Sequence, residues 1–178
     1  MMQLSTYLWV MIFLFGIIGF LRGWTKEVVA TAGIILALFI AFQFSDVFTS
    51  LLGQGARPEQ LFYLYTGLLL IVTFFAYQTP GAAARMSEGR LWGSRREGLQ
   101  ERLLGTVIGA VNGYLVFGSV WYYLDRTNYP FPPSIVPPPP GSPSAAMVSS
   151  LPLIFLVDHN LLTILVVILF LFIIIAMI

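Results

Sequence analysis

Five stretches of this chain, residues 7–21, 28–44, 61–77, 103–124 and 161–178, contain no Asp, Glu, Lys, Arg or His. A helix rises about 1.5 Å per residue, so about 20 mostly apolar residues cross a hydrocarbon layer roughly 30 Å thick. Each stretch approaches that length once small flanking residues join it. The chain is 58% hydrophobic and only 10% charged, too little polar surface to clothe five such segments in water. They face lipid or one another, and in lipid the backbone must satisfy its own hydrogen bonds. The expected fold is an all-α membrane protein, a bundle of about five transmembrane helices. Residues 151–157 are too short to span and open on Leu151-Pro152, which suits a segment lying at the interface.

Lys and Arg in short loops set orientation. Arg22 and Lys26 follow the first stretch, and Arg85, Arg90, Arg95, Arg96 and Arg102 follow the third, against Arg57 and Arg126 on the other side. This asymmetry predicts an inner-membrane protein with its amino terminus outside and its carboxyl terminus in the cytoplasm. Met1-Met2-Gln3 carries no basic residue and no small-residue cleavage site follows, so the first stretch reads as a retained span rather than a signal peptide. Between the third and fourth stretches, Thr79 and Pro80 start a short cytoplasmic interfacial helix in which Met86, Leu91, Trp92 and Leu99 alternate with charges. Its basic cluster, Arg85, Arg90, Arg95, Arg96 and Arg102, reads first as a stop-transfer signal and second as a contact for anionic lipid or an acidic partner.

Composition changes after residue 127. Nine of the eleven prolines lie between 130 and 152, with Pro137, Pro138, Pro139 and Pro140 in succession. Such a run holds an extended, stiff polyproline geometry. It predicts a Pro-rich outside loop that is either a semi-rigid spacer or a docking strip presenting Tyr129, Phe131 and the proline run to an extracytoplasmic protein. Three regions result: a four-helix membrane domain over 1–127, the proline loop over 128–152, and a C-terminal hydrophobic segment over 153–178.

Little in the chain carries chemistry. With no cysteine and one histidine, His159, it has no disulfide, thiolate cluster or His-pair haem site, so no cofactor, metal or catalytic residue is expected. A net charge of +1 supplies no footprint for nucleic acid. Asp158-His159-Asn160 reads as a solvated turn. Gln43 and Asn112 are the strongest polar groups inside the apolar runs, and the expected role of each is an interhelical hydrogen bond. Small residues form the clearest pattern. Gly105, Gly109 and Gly113 recur every four positions, Gly19 and Gly23 repeat the spacing, and Ala30, Gly33, Ala37 and Ala41 share one face of the second helix. In lipid, such ridges let backbones approach and gain dispersion contacts, so these residues are read as helix-packing positions.

Several of these residues also fall in short motifs. Gly19-Phe20-Leu21-Arg22-Gly23 followed by Lys26-Glu27-Val28, then Glu101-Arg102-Leu103-Leu104-Gly105 running into Ile108-Gly109-Ala110 and Gly113, with Leu124-Asp125 and Ser149-Ser150-Leu151-Pro152, resembles the colicin V production protein family of bacterial inner-membrane proteins. The similarity extends over most of residues 5–155; the tail from Leu161 and the expanded proline loop lie outside the usual pattern. The resemblance implies a multi-spanning bacterial membrane protein. With the absence of intramembrane charge, the expected function is a non-catalytic accessory or scaffolding subunit, bound in the bilayer to other integral membrane subunits, with an electron-transfer complex as its setting. The alternatives are a stand-alone envelope protein of the colicin V production type, and a small channel or transporter.

Overall fold

A computed structural model describes residues 3–53, 55–78 and 95–177, and every regular element among them is helical. In chain order these are α1 (Leu4–Arg22), α2 (Trp24–Gln43), α3 (Ser45–Leu52), α4 (Pro58–Gln78), α5 (Arg95–Arg126), α6 (Pro143–Val148), α7 (Pro152–Asp158) and α8 (Leu161–Met177). Four of them, α1, α2, α4 and most of α5, are long and apolar enough to cross a membrane. The segment Pro143–Asp158 and α8 meet at a 55° bend and add a fifth crossing if they count as one span. The protein is an all-α membrane bundle. The short helix expected around Met86 to Leu99 falls largely outside the described residues, as do Arg85 and Arg90.

The bundle is built on α5. Its 32 residues reach about 48 Å at about 1.5 Å per residue, well beyond the hydrocarbon thickness. α1 lies antiparallel along one side of it, while α2 and α4 pack on another. The α1–α2 joint is a single residue, Gly23, whose φ of +81° only glycine adopts without strain. Its N–H closes α1 on Gly19 O at 2.9 Å. So short a joint lets α1 and α2 diverge, and each docks on α5 rather than on the other.

Along the α1–α5 face the two backbones touch. A Cβ on Gly109 would sit 2.9 Å from Gly19 Cα, and one on Gly113 would sit 2.8 Å from Phe15 Cβ. Gly19 and Gly105 are each other's nearest neighbours. On α2, Ala30, Ala37 and Ala41 are buried together with Ile34 and Leu38, and Gly33 abuts Ala76 of α4. The core between α2, α4 and α5 is completed by Leu69 and Val116, and at one end by Leu153, Leu156 and Leu162 from the C-terminal helices.

The bundle has two distinct ends. At the end of Tyr129, the proline segment folds back on its own helices. Asn128 and Tyr129 adopt left-handed backbone (φ 56° and 51°), which a bulky aromatic residue rarely does, and this reverses the chain sharply out of α5. Tyr129 is thereby buried: Trp121 Nε1 donates to its hydroxyl at 3.1 Å, and that hydroxyl donates to Asp125 at 3.1 Å. Phe131 packs against Phe62 and Tyr63 of α4. Ser142 caps α6, Ser144 bonds to both the N–H and the hydroxyl of Ser5 at the start of α1, and Pro152 rests on Gly118. The sequence expectation assigned Tyr129 and Phe131 to a partner; in the structure Tyr129 is buried and Phe131 half-buried on the protein's own helices. Aromatic burial on the helices outcompetes exposure, and of that strip only Pro137, Pro139 and Pro140 stand exposed, with Pro138 half-buried.

Candidate functional site

At the opposite end, the end of Arg22, the first turn of α2 places Glu27 inside the bundle with no exposed surface. Glu27 is the one buried charged residue among the described residues. It continues the α2 stripe of Ala30, Ile34, Ala37 and Ala41 one turn backward, at the three-to-four spacing that keeps a single helix face. An unpaired carboxylate there would be costly, and a buried ion pair holds only when its remaining hydrogen-bonding groups are satisfied.

The neighbours meet that demand. Arg22, the last residue of α1, donates from one guanidinium nitrogen to Glu27 Oε1 at 2.6 Å and from another to the Tyr77 carbonyl at 3.0 Å. Its guanidinium also lies over the Tyr77 ring, 4.2 Å from the centroid, a cation–π geometry. The Tyr77 hydroxyl, from the last turn of α4, donates to Glu27 Oε2 at 2.8 Å. From α5, Asn112 Nδ2 donates to the same Oε2 at 2.9 Å and lies 3.2 Å from the Glu27 carbonyl. The Thr31 hydroxyl lies within donating distance of both Asn112 Oδ1 (2.7 Å) and the Glu27 carbonyl (2.8 Å), and its single proton serves one of them at a time. Both carboxylate oxygens therefore have donors drawn from α1, α4 and α5. One side chain binds four spans.

Arg22 is the exposed edge of this cluster, its side chain 19% accessible. It opens into a cleft shared with Lys26, Glu101 and Arg102. Of the basic cluster singled out in the sequence, Arg102 reaches this cleft and lies over the Phe20 ring, 5.7 Å from its centroid; Arg95 and Arg96 open α5.

The two polar residues expected between helices part company. Asn112 is fully buried in the Glu27 cluster, whereas Gln43 is exposed in the last turn of α2. Gln43 lies past the last buried position of that stripe, Ala41, so its amide points off the α4–α5 face. Asp158, His159 and Asn160 are exposed at the bend between α7 and α8, and His159 Nδ1 lies 3.1 Å from the Phe155 carbonyl. No group of His, Cys, Asp or Glu suited to a metal ion occurs among the described residues.

In the sequence Glu27 stands only within the Lys26-Glu27-Val28 motif, and its burial is missed because it lies one residue before the apolar run 28–44, where a hydropathy window leaves it outside the span. The signal that finds it is its register with Ala30 and Ala37.

The sequence model of the Colicin V production protein family matches residues 4–151. The chain belongs to the Colicin V production protein family. The match runs from the start of α1 to the turn before α7, so it includes the α1–α5 glycine contact, the Glu27 cluster and the packed proline segment. As a Colicin V production family protein, the chain is an integral membrane protein of that envelope type. No curated protein and no solved structure matches it.

Proposed function

We propose that this Colicin V production family protein is a non-catalytic scaffolding subunit of a bacterial inner-membrane assembly. Its Arg22 end is cytoplasmic, and its Tyr129 end and proline run lie outside. The observation that carries the reading is an apolar groove along the outer side of the α1–α5 pair, lined by Trp9, Ile12, Phe13, Gly16, Ile17 and Ala110. The same helix pair is packed to backbone contact on its glycine ridge. A groove beside so tight a pair receives the side chains of a further transmembrane helix, since van der Waals fit is the main force available between helices in lipid. The exposed prolines at 137, 139 and 140 supply a second contact, for a protein outside the membrane. Neither the family nor the fold supports the electron-transfer setting expected from the sequence, and that setting forms no part of the proposal.

Photocrosslinking in intact cells tests the reading. A photoreactive residue at Phe13 or Ile17 is expected to give discrete protein adducts, while one at Phe74 on the exposed face of α4 gives lipid adducts only. Lipid adducts at all three positions, together with a monomer after mild solubilisation, would return the stand-alone envelope protein to first place.

A further inference from the structure

Among the described residues, three buried hydroxyls in the α2–α4–α5 core have no hydrogen-bond partner: Thr66 and Thr73 on α4 and Ser119 on α5. Each is at least nine-tenths buried, Ser119 completely. An unpaired hydroxyl in a span is costly because no bulk water reaches it, and three in one core call for a common partner.

Their heights in the bundle are ordered. Tyr77 and Asn112 meet at Glu27, while twelve residues back along α4 Tyr65 stacks on Tyr123 with ring centroids 5.4 Å apart. These two contacts fix an antiparallel register between α4 and α5. At about 1.5 Å per residue, Thr73 lies about 6 Å beyond the Glu27 level, Ser119 about 10 Å and Thr66 about 16 Å. Along the bundle axis successive hydroxyls are thus stepped by about 4–6 Å, near twice an O–H···O distance of about 2.8 Å. They also share a side. Ser119 is seven residues from Asn112, which faces α2, and Thr73 is three residues from Ala76, which touches Gly33 of α2. The facing stripe of α2 carries Ala30, Ala37 and Ala41 beside the fully buried Ile34 and Leu38.

The column has defined ends. One is the Glu27–Arg22–Tyr77–Asn112 cluster. The other is a cavity of about 270 Å³ lined by Tyr65, Tyr122, Tyr123, Ser45, Thr49 and Arg126, among other residues. Its Thr49 and Arg126 are exposed, so this cavity opens at the surface.

We propose that this seam holds a single file of water bridging Thr66, Ser119 and Thr73, and that the file conducts protons between the Tyr65–Tyr123 cavity and the Glu27 cluster. Hydroxyls both donate and accept, so they pass a proton along such a file without themselves ionising. At its end stands the Glu27 carboxylate, the one buried charged group among the described residues. The groups that face it are Arg22 from α1, Thr31 from α2, Tyr77 from α4 and Asn112 from α5. Arg22 connects this end to the cleft it shares with Lys26, Glu101 and Arg102, which completes a route from one face of the bundle to the other. This activity does not rest on the scaffold reading.

The test uses the purified full chain in phosphatidylethanolamine–phosphatidylglycerol vesicles loaded with a pH-sensitive dye, with a potassium diffusion potential imposed by valinomycin. Proton influx is expected to rise severalfold above protein-free vesicles. The isosteric double variant T73V/S119A should bring it back to the protein-free rate, and S50A, on exposed α3, should leave it unchanged. Thermal unfolding of T73V/S119A checks that the variant is folded. Wild-type vesicles as tight as protein-free ones, or a folded T73V/S119A that conducts like wild type, would overturn the proposal. The hydroxyls would then be dry and turned onto their own helix carbonyls.

Discussion

Replacing Gly109 by alanine adds one methyl group where the α1 and α5 backbones touch. That methyl would lie 2.9 Å from Gly19 Cα and 3.1 Å from Gly19 N, and nearer still to the Phe15 carbonyl oxygen. All three are backbone atoms of α1, so no side-chain rotation relieves the clash. Carbon contacts settle at about 3.5–4.0 Å, so α1 retreats by about 0.5–1 Å, and a gap of that size forfeits roughly a quarter to a half of each dispersion contact across the face. Overpacking of this kind costs about 1–3 kcal/mol. Against it stands the gain of about 1 kcal/mol from removing a glycine within a helix. Three backbone contacts place the site in the upper part of that range, about 2–3 kcal/mol, so the expected net loss for Gly109→Ala is about 1–2 kcal/mol. Gly67, within α4, has nothing within 4 Å of an added Cβ, so Gly67→Ala keeps the propensity gain of up to about 1 kcal/mol. Identical chemistry therefore moves stability in opposite directions. Unfolding of the purified chain in mixed micelles by dodecyl sulfate titration, followed by tryptophan fluorescence, measures both. Gly109→Ala as stable as wild type would refute the claim that backbone contact governs this pair.

Further outcomes follow from the two ends of the bundle. Glu27→Ala strands the Arg22 guanidinium, the Asn112 amide and the Tyr77 hydroxyl, and should cost about 3–5 kcal/mol, read as lost folded yield; Glu27→Gln keeps an acceptor and should lose less. Burial pushes the Tyr129 phenol from 10.0 up to about 12, with the Trp121 donor working against the shift and the Asp125 carboxylate with it. A folded value above the unfolded one means that this contribution is complete below pH 10.0 and lost as pH rises toward about 12. Tyrosinate absorbance and proteolysis of the proline segment should therefore rise together across that window, and Tyr129→Phe, which leaves Trp121 and Asp125 without their shared partner, should abolish the coupling. Deleting residues 137–140, which removes the Pro139 carbonyl that accepts from Ser142 N, should cost about 0.5–1.5 kcal/mol while removing crosslinks to any protein outside the membrane.

Much of the architecture could be read from sequence because it depends on sums along the chain. Hydropathy accumulated over residues 7–21 or 103–124 outweighs any single side chain, and lipid leaves the backbone no choice but helix. Gly105, Gly109 and Gly113 were legible as a ridge for the same reason, since the four-residue period is a property of one helix. The Glu27 cluster was not. It gathers residues separated by 5, 50 and 85 positions, and no local pattern joins Tyr77 or Asn112 to a carboxylate at the edge of an apolar run.

The sequence by itself determined a multi-spanning helical membrane protein, its family and the small-residue faces on α2 and α5, because these follow from periodicity and transfer free energy. Only the tertiary structure decided what each face meets. The α5 glycines meet α1 because the one-residue joint at Gly23 sends α1 and α2 apart. Glu27 is buried because the α2 stripe extends one turn further than hydropathy suggests, while Gln43 is exposed beyond the far end of that stripe. Tyr129 turns inward because a left-handed exit from α5 brings its ring back onto Trp121. Pairing and burial are properties of distance in space, and this chain keeps the partners of its charged and aromatic groups far apart in sequence.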